Sequence, residues 1–207
     1  MFATAEVRWF YRGPLPAAVR AWFEARSSRM AYQAPRRDRY LGLPGDSLGI
    51  KVREGRIEIK MRQQQGEFLR LHPQVTGLLE RWQKWSFALA DPSAAPPGIS
   101  ATESSWLAVD KHRGLARYRV AGDEPPVAVA ADVYPVQGCE VELVELYAGG
   151  QAWWSLCFEA FGQGRALPEA LLATAREFLG GAEPPHMDAG DSYGYPRWLA
   201  LLAPEAS

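Results

Sequence analysis

Residues 49–62 read GIKVREGRIEIKMR, two runs of alternating apolar and charged residues separated by Glu54-Gly55. Neighbouring side chains of an extended strand point to opposite faces, so this alternation is typical of a strand with one apolar and one charged face. A Glu-Gly pair between two such runs predicts a tight turn, because glycine tolerates positive backbone angles. The stretch therefore predicts a β-hairpin with Lys and Arg gathered on one side.

The same period of two recurs along the chain. It predicts about eight strands, at 6–10, 49–53, 56–62, 81–89, 106–120, 127–134, 140–147 and 151–161. Two amphipathic helices are predicted at 16–25 and from about 168 to 179, and the proline-containing stretch 91–98 predicts a loop. We therefore expect a mainly antiparallel β (α+β) fold, an eight-stranded barrel that is closed or nearly closed, with the helices packed outside.

Length and composition indicate one soluble domain that spans residues 1–207. Hydrophobic residues make up 47% of the chain, enough for a sizeable core, and barrels of this size are commonly undivided. A net charge of -1 disfavours generic binding to nucleic acid or to an anionic membrane. The two cysteines lack zinc-site spacing, and neither a signal peptide nor a long apolar run is found. A cytoplasmic location is expected.

One face of the predicted sheet carries more positive than negative charge. Its basic positions are Arg8, Lys51, Arg53, Lys60, Arg62, Lys84, Lys111, Arg113 and Arg117. Its acidic positions are Glu6, Glu58, Glu140, Glu142 and Glu159. Such a face is commonly just the solvent-exposed face of an antiparallel sheet. If the helices cover the apolar side, however, the charged side lies inside the barrel, where a cationic surplus implies either a multiply charged anion or many internal carboxylate pairs.

Several short motifs resemble one known family in their order. They are Glu6-Val7-Arg8, Arg37-Asp38-Arg39-Tyr40-Leu41, Gly49-Ile50-Lys51-Val52-Arg53, Glu58-Ile59-Lys60-Met61-Arg62, Lys111-His112-Arg113, Val141-Glu142-Leu143 and Ser192-Tyr193. Together they are similar to the CYTH, or triphosphate tunnel, superfamily. The resemblance implies an eight-stranded tunnel in which lysines and arginines grip a polyphosphate or an organic triphosphate.

The resemblance also implies a divalent metal, Mg²⁺ or Mn²⁺, held by carboxylates. The matching ligands are Glu6, Glu140, Glu142 and Glu159, and the candidates for the hydrolytic chemistry are Glu6, Glu142 and Glu159. The nine basic positions given above are the implied substrate-binding residues. Phosphoanhydride hydrolysis needs the metal to neutralise charge on the phosphate oxygens.

The chain departs from the family at its most characteristic motif. The family opens with Glu-x-Glu-x-Lys, whereas this sequence has Glu6-Val7-Arg8-Trp9-Phe10. Arg8 replaces an expected carboxylate and competes for phosphate, because a guanidinium grips phosphate through two donors. We therefore expect good anion binding with weak hydrolysis, or a different substrate.

Three functions remain open from the sequence. The first is a metal-dependent triphosphatase, and the second is an anion-binding module without turnover. The third is a lipocalin-like carrier of apolar ligands, which requires the apolar faces to point inward. The orientation of Lys51, Arg53, Lys60 and Arg62 separates the carrier from the other two.

Overall fold

The computed structural model describes residues 2–89, 106–122, 124–162 and 166–202. The strands are β1 (Phe2–Arg12), β2 (Ala31–Tyr32), β3 (Arg36–Leu41), β4 (Leu48–Arg53), β5 (Arg56–His72), β6 (Val75–Ala88), β7 (Trp106–Arg119), β8 (Val127–Val129), β9 (Gly138–Ala148) and β10 (Gln151–Gly162). The helices are α1 (Ala17–Ala25), α2 (Leu167–Leu179) and α3 (Tyr195–Leu202), with a 3₁₀ turn at Ala189–Asp191. Of the helices in the described ranges, none is long and apolar enough to span a membrane.

Eight of the strands form a closed antiparallel barrel, as the sequence predicts. The order around the barrel is β3-β4-β5-β6-β1-β10-β9-β7, and β7 pairs with β3 to close the ring. Strands β2 and β8 pair with β7 and lie off this ring. The predicted turn joins β4 to β5, where Glu54 (φ 47°) and Gly55 (φ 68°) both adopt the left-handed region that such turns need.

The main apolar core lies between the outer face of the barrel and the first two helices. Val7 and Trp9 point outward from β1, and Phe23 of α1 and Phe178 of α2 close over them. The rings of Phe158 and Phe178 meet edge to face at 5.8 Å. Burial of each such ring stabilises the fold by about 2–3 kcal/mol. The prediction that the helices pack outside is confirmed.

Strands β5 and β6 are longer than the predicted strands 56–62 and 81–89 and pair as one long hairpin. Pairing is irregular between Arg62 and Glu67, and beyond this point the hairpin tip folds over the outer face of β1. A side chain at Gly77 would collide with Val7 and Trp9, so glycine permits the close approach.

Helix α3 fills one end of the barrel. Trp198 is fully buried and stacks on Phe10, an inward-facing residue of β1, with ring centroids 5.0 Å apart. Tyr195 stacks on Tyr40 of β3 at 5.4 Å. No helix is predicted from the sequence at this position. The interior is therefore a pocket closed at the α3 end.

Two strand assignments differ from the sequence prediction. The strand predicted at 127–134 is wrong beyond Val129, because the following residues form a loop bound to Arg117. Its place in the ring belongs to β3, where Arg36–Leu41 pairs with β7. The loop predicted at 91–98 lies outside the described residues.

Candidate functional site

A cavity of about 250 Å³ occupies the barrel interior beside the α3 plug. Its lining is strongly ionised. The basic lining residues are Arg8, Arg36, Lys51, Arg53, Lys60, Lys84, Lys111 and Arg113, and the acidic ones are Glu58, Glu140, Glu142 and Glu159. The remaining lining residues are Tyr40, Gly49, Tyr134, Val144, Tyr195 and Pro196. The charged side of the strands thus faces inward, and the apolar side packs against the helices.

Seven of the nine predicted basic residues line this cavity, and two do not. Arg62 lies beyond it and binds Asp46 and Glu80, with Nη–O distances of 2.6 and 2.8 Å. Arg117 is completely buried and binds Glu140 at 2.6 Å. Strand alternation places both residues on the inward face, like their neighbours, but both form ion pairs that keep them out of the cavity lining.

The first cluster centres on Glu142 of β9. One carboxylate oxygen accepts a hydrogen bond from Arg8 Nη2 at 3.0 Å, and the other accepts from Arg113 Nη1. Burial alone would raise the pKa of Glu142, but Arg113 and Arg8 outweigh it and hold the pKa well below the usual range. Glu142 therefore stays ionised between two guanidinium groups.

Lys60 of β5 reaches across the barrel interior and bridges two carboxylates on β1 and β10. Its ammonium donates to Glu159 at 3.1 Å and also to Glu6, which sits behind it. Cross-strand pairing places Glu6 of β1 directly beside Glu159 of β10. Although burial opposes the charged form, Glu159 and Glu6 raise the pKa of Lys60 above its ordinary value.

The second cluster gathers three cations around Glu58. Arg53 Nη2 lies 2.9 Å from one oxygen, and Lys51 and Lys84 lie 3.1 and 3.3 Å from the other. Against the effect of burial, Lys51, Lys84 and Arg53 lower the pKa of Glu58 to about 2. Burial and the adjacent Arg53 lower the pKa of Lys51 to about 8. Positive charge is crowded on this wall.

A third cluster centres on Asp38 of β3, which was not among the predicted site residues. Asp38 is fully buried and contacts Lys111, Lys51 and Arg36 at 3.2, 3.5 and 3.2 Å. Lys111 also donates to the hydroxyl of Tyr40 at 2.6 Å. Alternation within 36–41 places Arg36, Asp38 and Tyr40 on one face, a signal that predicts this group once the segment is assigned as a strand.

The loop after β8 is tied to the cavity wall by Arg117. The guanidinium donates to the carbonyl oxygens of Ala131 and Val133 and lies 3.8 Å from the centroid of the Tyr134 ring. Tyr134 lines the cavity yet is 73% exposed, which places it at the rim. The sequence gives no period in this loop that would identify Tyr134.

The four predicted metal ligands do not form a metal site as they lie. In the described part of the chain, no three Asp, Glu, His or Cys side chains converge as a metal-binding group. Glu6, Glu142 and Glu159 bind lysine or arginine, and Glu140 binds Arg117. Mg²⁺ prefers near-octahedral oxygen ligands at about 2.1 Å, and here cations occupy the positions next to the carboxylates. The residues therefore do not fit the implied metal.

Fold and site together define a small antiparallel β-barrel with a charged cavity that helix α3 closes at one end. No protein-family model matches the chain, and no curated protein matches it either. The resemblance to the CYTH superfamily therefore stays a prediction from the sequence.

Proposed function

We propose that the barrel is a binding module for a small polyanion of the di- or triphosphate class. The observation that carries this proposal is the charge of the cavity lining. Eight lysines and arginines line the cavity against four glutamates. Even with Glu6 and Asp38, which contact these lysines, eight cations face six carboxylates. An enclosed surplus of like charge is costly, and a bound polyanion would remove the cost.

Cavity size supports a compact ligand. A volume of about 250 Å³ falls below the roughly 300–1,000 Å³ typical of sites for drug-sized molecules. Twelve of the lining residues are charged, eight basic and four acidic, so an apolar ligand would have to desolvate several ion pairs. These features disfavour the lipocalin-like carrier.

Two basic residues of the cavity wall, Arg8 and Lys51, would be stabilised by an anion. Arg8 carries a buried Nε–H group for which the described residues provide no acceptor, and such a donor costs about 1–3 kcal/mol. Lys51 has its pKa lowered to about 8 by burial and Arg53. A phosphate oxygen beside Lys51 would favour the charged lysine, and one that reached Arg8 Nε after a shift of the side chain would offer it an acceptor.

The experiment is a calorimetric titration with orthophosphate, pyrophosphate and tripolyphosphate at matched ionic strength. We expect affinity to rise with the number of phosphates, and Lys51→Met and Lys84→Met each to weaken tripolyphosphate binding by about tenfold. The control is Arg70→Met, an exposed cation in the β5–β6 hairpin tip, which should bind as the unmodified chain does. Equal weakening by all three substitutions, or no binding of tripolyphosphate, would contradict the proposal.

A further inference from the structure

We infer that the cavity takes its polyanion free of metal, with the interior carboxylates as counter-ions that the ligand displaces, so that Mg²⁺ opposes binding. This inference rests on the proposed function and specifies the form of the ligand that the same cavity accepts.

The first step is that cations already occupy the carboxylates. Both oxygens of Glu142 accept from arginine, and both oxygens of Glu58 contact lysine or arginine. Glu140 contacts Arg117 through one oxygen at 2.6 Å and Arg113 through the other at 3.8 Å. A divalent cation placed here would have to break these pairs and would lie against their cations. Coulomb repulsion inside a barrel is only weakly screened.

The second step is that three of the cavity cations, Lys51, Lys60 and Arg113, each contact two carboxylates. Lys60 contacts Glu6 and Glu159, and Arg113 contacts Glu142 and Glu140. One carboxylate of such a pair can withdraw while the other keeps the cation in place. Phosphate oxygens can then replace the departing carboxylate and lose little of the supporting structure.

The third step identifies Glu159 as the carboxylate that yields first. Its side chain is 19% exposed, compared with 7% for Glu142 and 6% for Glu58. Lys60 keeps Glu6 when Glu159 leaves. Glu159 therefore competes with the polyanion for Lys60. A metal-binding carboxylate would instead help to hold the polyanion through the metal ion.

The metal-bound ligand is a poorer match for this cavity. Each bound Mg²⁺ reduces the net negative charge of a polyphosphate by two. The smaller charge weakens the attraction between the ligand and the eight lysines and arginines that line the cavity.

The test is a titration of the full chain with tripolyphosphate, once with EDTA and once with excess Mg²⁺, at matched ionic strength. We expect the apparent Kd to rise at least about tenfold with Mg²⁺. An unchanged or lower Kd with Mg²⁺ would overturn the inference and leave the proposed function standing. If tripolyphosphate binds in neither condition, the proposed function fails and the inference fails with it.

Glu159→Gln separates a competing carboxylate from a metal ligand. Without the competing charge, we expect metal-free tripolyphosphate to bind up to about tenfold more tightly. Glu177→Gln is the matched control, because it removes one exposed carboxylate from α2 and should leave the Kd unchanged. Weaker binding in Glu159→Gln would contradict the inference.

A third measurement needs no polyanion. Electron paramagnetic resonance of Mn²⁺ added to the unliganded chain should show only the free ion at concentrations up to about 1 mM, because the carboxylates are already paired. Micromolar Mn²⁺ binding that Glu142→Gln abolishes would overturn the inference directly.

Discussion

The two halves of the barrel interior have opposite chemistry although the same strands build both. At the α3 end, Phe10 of β1 and Leu146 of β9 join Trp198 in an aromatic and aliphatic plug. Two and four residues away along the same faces, Arg8 and Glu142 begin the ionised half. The plug gains free energy from burial, whereas the buried ion pairs gain little over apolar packing. Stability is therefore concentrated in one half, and the other half is available for binding.

The largest expected effect comes from emptying the plug. Trp198→Ala should lower the free energy of unfolding by about 3–5 kcal/mol, because it removes a fully buried ring that contacts Phe10, Trp153 and Tyr195. Denaturant titration measures this change. Leu201→Ala, on the same helix but 56% exposed, is the control and should change stability by less than about 0.5 kcal/mol. Equal losses would mean that the plug is not where stability is concentrated.

A smaller loss is expected when one carboxylate of the ionised half is neutralised. Glu142→Gln leaves Arg8 and Arg113 without their shared partner, which should cost about 3 kcal/mol. Replacing Arg8 and Glu142 together by methionine should recover part of this loss, because apolar packing substitutes well for the Arg8–Glu142 pair while Arg113 still lacks its carboxylate. Denaturant titration of the three proteins checks the comparison. A double variant as unstable as Glu142→Gln would show that the ion pair itself stabilises the fold.

The smallest expected effect is a pH dependence confined to the ionised half. Lys51 has a pKa of about 8 in the unliganded barrel, where Arg53, Asp38, Glu58 and Lys84 are its charged neighbours. A bound polyanion favours the charged lysine, so above about pH 8 binding must also take up a proton, and affinity should fall by at most about tenfold per pH unit. Below this pH the lysine is already charged and the slope should vanish.

Calorimetry of tripolyphosphate binding between about pH 7 and about pH 9 measures this slope. Lys51→Met removes the titrating group, so its binding should be weaker and independent of pH in this window. A slope that persists in Lys51→Met would assign the proton to another group. Lys111 is then the next candidate, since burial lowers its pKa as well.

Phe10 stands where the resemblance to the CYTH motif predicts a lysine, and it has a packing role that the sequence does not reveal. The structure packs it flat against Trp198 and Tyr193, with centroids 5.0 and 5.5 Å away. In the sequence, Phe10 is notable only because the family motif has a positively charged lysine at this position. Its partner lies 188 positions further along the chain, beyond the reach of any local pattern.

The alternation of side chains predicted most of the residues that line the cavity, but not which of the inward-facing cations line it. Lys51, Arg53 and Lys60 point inward as the alternation requires. Arg62 and Arg117 have the same parity, yet Asp46 and backbone carbonyl oxygens bind them. These loop partners could not be predicted, because side-chain direction in loops follows no period, whereas the other partners, Glu80 and Glu140, lie on strands.

The sequence by itself determined the barrel, its strand faces and the sign of its interior charge, because alternation with period two fixes which residues share a face. Only the tertiary structure decided that α3 closes one end, that β3 completes the ring and that each predicted metal ligand binds a cation. These outcomes depend on contacts between residues far apart in the chain, and their geometry is set when the strands close and the helices pack.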